Sequence, residues 1–92
     1  MDSSYAEVGT EVVISFGNKY RYESHAQPYL CKRGLIIGTK QFTMGSRKII
    51  TWARVKTSYG SEWSNNLWWP VDDMILASDI DLLNPDQRER IK

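Results

Sequence analysis

The sequence predicts a mainly β fold, a small five-stranded barrel with a short C-terminal helix, on three observations. Runs rich in β-branched and aromatic residues (TEVVISF, YLCKRGLIIGT, RKIITWARVKT) recur between clusters of glycine, proline, asparagine and serine. The third run alternates with a period of two, which sets Ile49, Thr51, Ala53 and Val55 against Ile50, Trp52, Arg54 and Lys56. Near the end, Asn84-Pro85 places a capping residue before a proline at the first helical position.

Taken in chain order, Thr10–Phe16 reads as a first strand opened by Gly9. The segment from Gly17 to Pro28 lacks apolar periodicity and reads as a long loop. Tyr29–Thr39 is a second strand in which Gly34 suggests a bulge, and a polar connector around Met44-Gly45-Ser46 leads to a third strand at Arg47–Thr57. Ser58–Ser61 is a hairpin connection and Glu62–Trp69 a fourth strand, ended by Pro70, which has no N–H for a ladder. Pro70–Asp73 is a turn before a fifth strand at Met74–Ala77. Ser78 with Asp81 resembles a helix start, and a terminal helix runs from Pro85. The barrel is placed at about residues 9–77 and the helical tail at about 78–92 of a single domain.

The chain has 92 residues, 41% hydrophobic and 25% charged, which suits one core and excludes disordered or collagen-like polymers. No apolar window is long enough for a membrane span, and Met1–Thr10 lacks the layout of a signal peptide, so a cytoplasmic location is expected. The one cysteine, Cys31, cannot form an internal disulfide, and packing alone must hold the fold.

The net charge of +1 conceals three blocks. Residues 1–16 carry three acids and no base, residues 17–57 carry nine bases against Glu23, and residues 58–92 carry seven acids against three bases. If the central strands gather those bases on one face, the surface attracts polyanions; if antiparallel pairing brings the acidic ends alongside, it is neutralised.

The layout of a long first loop, a glycine-bent second strand and a one-turn step before the last strand resembles SH3-like barrels over about Gly9–Ala77. Within it, KRGLIIGT (Lys32–Thr39) looks like the basic, glycine and apolar core of the KOW motif, and LWWPVDDMIL is similar to the closing segment of Tudor and related domains. The resemblance implies a barrel that binds through its loops. Neither the acidic and aromatic first-loop signature of peptide-binding SH3 domains nor an aromatic cage is present, so it assigns no family-specific site.

Candidate binding residues come from the residues themselves. Lys19-Tyr20-Arg21-Tyr22 interleaves cations with rings, a pattern in which bases stack while phosphates meet charge; the alternative is that the tyrosines cover one end of the barrel. Trp52, with Lys48, Arg54 and Lys56 in its row, suits a stacking platform if that face is outward and a core position if it is not. Lys32 and Arg33 complete the basic set. Trp68 and Trp69 are adjacent in a strand, so at most one is core, and the other is covered by Ile80, Leu82 and Leu83 or left for a partner or a second copy.

His25 is the only histidine, no triad, metal cluster or phosphate-cradling loop stands out, and Asp72-Asp73 reads as a solvated turn or a partner for cations. The expectation is a binding module with no cofactor and no catalysis. Its partner is nucleic acid or, alternatively, an acidic protein surface met by a small inhibitory adaptor of the kind phages and mobile elements encode.

Overall fold

The computed structural model describes residues 1–17, 20–45, 48–57 and 67–91. The five strands are β1 (Glu11–Val13), β2 (Arg33–Met44), β3 (Lys48–Thr57), β4 (Trp68–Pro70) and β5 (Ile75–Leu76). They form one antiparallel sheet in the order β4-β3-β2-β1-β5, and a short helix α1 (Pro85–Glu89) follows. The mainly β prediction therefore holds, but among the described residues the ladder is open, with β4 and β5 as its two ends, where the sequence suggested a closed barrel. Most of the expected fourth strand, the Ser58–Ser61 connection and Trp63 lie outside the described residues.

β1 is shorter than expected because the chain leaves extended geometry at Ser15 (φ 53°). Ile14 and Phe16 stay buried all the same, and the Ile14 N–H still reaches the Lys32 carbonyl. β2 begins at Arg33, not Tyr29. Residues Ser24–Tyr29 form a 3-10 helix that includes Pro28, and Cys31 (φ 63°) reverses the chain in a left-handed conformation. At its other end β2 continues through Gln41, Phe42 and Thr43 to Met44, across residues read above as connector.

The expected bulge in β2 exists but falls at Ile37, between the pairs Ile36↔Val55 and Gly38↔Arg54. Gly34 has a different task, letting two strands approach. A Cβ there would lie 2.6 Å from the Lys56 carbonyl oxygen and 2.6 Å from Val55 Cγ1.

The core gathers Val12, Ile14, Ile36, Ala53, Val55 and Trp69 with Val71 and Met74. On β3, Ala53 and Val55 face it as the alternation requires, whereas Ile49 is 63% exposed and Ile50 is buried. The alternation thus fails at the strand's first turns, where β3 runs beyond the core.

A 3-10 turn, Val71–Asp73, joins β4 to β5. The segment Ala77–Leu82 is also 3-10, and Ser78 does not cap it. Leu82 there is 82% exposed, so it does not cover a tryptophan. Asn84 caps α1 with a reciprocal capping box to Gln87, as the sequence implied. Arg90 ties this tail back to the segment after β1: its Nη2 donates to the Phe16 carbonyl at 2.6 Å and its guanidinium lies 4.8 Å from the Phe16 ring centre.

Candidate binding face

Strand register sets the site. Lys40 pairs with Trp52, Trp52 with Pro70, and Arg54 with Trp68, so these residues form one patch across β2, β3 and β4. Adjacent residues in a strand point to opposite faces, and Trp69 is the one that enters the core, at 2% exposure, leaving Trp68 on the outer side. The Lys40 ammonium lies 5.2 Å and the Arg54 guanidinium 5.8 Å from the Trp68 ring centre. Lys40 is also 5.4 Å from the Phe42 ring, and Phe42 meets Trp52 edge-to-face at 6.3 Å. Each cation–ring contact contributes about 0.5–1 kcal/mol at an exposed site.

Beside this patch the first loop forms one wall of a groove of about 430 Å³, with Tyr20, Arg21 and Tyr22 facing Trp52, Trp68 and Pro70. The indole nitrogens of Trp52 and Trp69 are buried and have no hydrogen-bond acceptor among the described residues.

The loop is held by the acid pair. Tyr20 donates to Asp72 Oδ2 at 2.8 Å and Tyr22 to Asp73 Oδ2 at 2.8 Å. Asp72-Asp73 is therefore the anchor of the first-loop tyrosines and not a solvated turn, with Asp73 buried to 1% exposure. Burial, with the Asp73 bond and charge, pushes the Tyr22 hydroxyl well above its ordinary range; the Asp72 hydrogen bond raises that of Tyr20. Tyr22 also packs on Trp69 at 5.6 Å between ring centres.

Tyr22→Phe keeps that packing and removes one donor from a buried carboxylate, with an expected loss of about 1–2 kcal/mol, read as a lower urea midpoint. Because the folded state raises both hydroxyls above 10.0, what they add to stability is full below pH 10 and is lost as the pH rises beyond it. The advantage of Tyr22 over Phe should shrink accordingly in alkaline titration.

The structure divides the remaining predicted residues. Tyr20, Arg21, Tyr22, Trp52 and Arg54 come together. Arg33 is ion-paired with Glu11 at 3.0 Å, both side chains half exposed, so acid from the first block does neutralise this base. Lys56 shares a separate groove with Arg33 and Glu11, and Lys48 lines a third recess beside Met1 and Asp72. Lys32 is half-buried ahead of β2, and Lys19 lies outside the described residues.

Two members of the patch, Lys40 and Phe42, were missed as candidate residues, and Trp68 is the tryptophan that adjacency left for a partner. Carrying the second strand on to Met44 would have placed Lys40 and Phe42 on one face by the same period of two.

Among the described residues no cluster of acids, histidine and cysteine could hold a metal ion, and no helix is long and apolar enough to cross a membrane. Compared with protein-family models, with curated proteins and with solved structures, the chain finds no match.

Proposed function

We propose that the chain is a non-catalytic, cytoplasmic binding module that takes single-stranded nucleic acid on the face of β2, β3 and β4. The observation that carries this reading is Trp68, an outward indole with Lys40 and Arg54 at 5.2 and 5.8 Å from its ring. Bases stack on such rings without regard to sequence, while neighbouring cations meet the phosphates. Arg21 and the first-loop tyrosines extend the face along the groove. The strand order, with a 3-10 turn between β4 and β5, supports an SH3-like barrel of the KOW or Tudor type as the scaffold.

The test is tryptophan fluorescence titration with a single-stranded oligonucleotide over a range of salt. With Arg21, Lys40 and Arg54 each meeting a phosphate, log K is expected to fall against log salt with a slope of about −2. Trp68→Ala should weaken binding by about 1–3 kcal/mol and leave that slope unchanged. Binding indifferent to salt overturns the reading. An acidic protein surface would use the same cations without needing stacked bases, so salt-dependent capture of a protein with no affinity for the oligonucleotide would favour the adaptor reading.

A further inference from the structure

β2 is twelve residues long, yet β1 pairs with only Arg33–Leu35 of it. Gly9 and Thr10 extend the hydrogen bonding to Ile36, and beyond it Ser3, Ser4 and Ala6 line a groove with Thr39, Lys40 and Gln41 without bonding to them. Past the bulge at Ile37, the backbone partner of β2 among the described residues is β3 alone.

The register tells which groups are left over. Trp52 stands opposite Pro70 in β4, and proline has no N–H, so that pair is of the non-hydrogen-bonded type. Trp52 therefore turns its own N–H and carbonyl toward β2, where it pairs with Lys40. By alternation Lys40 and Phe42 bond inward to β3, while Thr39, Gln41 and Thr43 present N–H and carbonyl groups at the open edge. Every residue from Thr39 to Thr43 is exposed.

Proteins commonly guard such an edge with charge. Lys40 is the only charged residue between Ile37 and Thr43, and its ammonium lies over the Phe42 and Trp68 rings.

We propose that this edge joins the same edge of a second copy, antiparallel, about a twofold axis at Gln41. Here Gln41 meets its counterpart and Thr39 meets Thr43 as hydrogen-bonded pairs. Lys40 meets Phe42 in the closer, non-hydrogen-bonded positions, and every such contact occurs twice. A twofold at Lys40 would instead oppose two ammonium groups, which is unfavourable. The Gln41 register repeats between chains the Lys40–Phe42 attraction already present within one, and this self-complementarity selects a second copy over an unrelated strand. The axis is perpendicular to the sheet, so both aromatic faces lie on the same side and join into one surface. The pairing rests on backbone geometry and holds whatever that surface binds.

The test is sedimentation of the chain over a concentration series, with Gln41→Pro as the variant. Proline removes an N–H that β3 does not use, so the monomer should keep its circular dichroism while self-association weakens roughly a hundredfold. A wild-type chain that stays monomeric into the hundreds of micromolar overturns the proposal, as does a folded Gln41→Pro variant that dimerises undiminished.

Should Gln41→Pro fail to fold, Gln41→Cys decides, with Leu82→Cys, also at an exposed position, as the control. Oxidative cross-linking much faster at position 41 supports the pairing, and equal rates overturn it. An unrelated extended strand as the true occupant would appear as a monomer that never cross-links at 41.

Discussion

Replacement of Trp69 by alanine is expected to remove about 3–5 kcal/mol of folding free energy and to leave much of the chain unfolded at physiological temperature. Trp69 is 2% exposed and touches both halves of the structure, meeting Tyr22 at 5.6 Å and Tyr29 at 6.5 Å between ring centres. It also packs among Val12, Ile36, Ala53 and Met74, so truncation opens a cavity bordered by strands on one side and the first loop on the other. Small domains have about 5–15 kcal/mol in total, so the loss is a large share. Thermal denaturation followed by circular dichroism should show the midpoint lowered by roughly 15–30 °C, and Trp69→Phe should recover part of it. A shift of only a few degrees would mean that the core closes without the indole.

Gly34→Ala is the second large effect, and its origin is steric. The added methyl would sit 2.6 Å from the Lys56 carbonyl oxygen and 2.6 Å from Val55 Cγ1, and the first of these belongs to backbone that cannot swing aside. Relief requires β2 and β3 to part at Gly34↔Thr57, where β1 pairs with the other edge of β2. About 1–3 kcal/mol should be lost. Gly38→Ala, four residues along the same strand, meets nothing within 4 Å and is the control. Urea denaturation of the two variants side by side should separate them clearly, and equal midpoints would show that the strands have slack at Gly34.

What could be read in advance follows the range of the interaction. β3 was legible because its alternation is local and continues through Val55, and α1 because Asn84 and Gln87 form their cap within one turn. Adjacency alone determined that Trp68 and Trp69 part to opposite faces.

The ends of β2 were not legible. Left-handed geometry at Cys31, a non-glycine residue, delays its start, and polar Gln41 and Thr43 extend in a ribbon that no core explains. The site was half legible for the same reason. Tyr20, Tyr22, Trp52 and Arg54 stood out by type and spacing, but Asp72 and Asp73 reach the tyrosines from about fifty positions away in sequence. Nothing in a local pattern ties them together.

The two phenol–carboxylate bonds fasten the first loop at its middle, not only where it enters and leaves the sheet. A segment secured in that way has already given up most of its freedom, so a guest that accepts its shape bears little further ordering entropy. A guest demanding another shape must first break both bonds and expose a buried carboxylate. The turn between β4 and β5, which touches no guest itself, thereby acts as a filter on which guests are admitted.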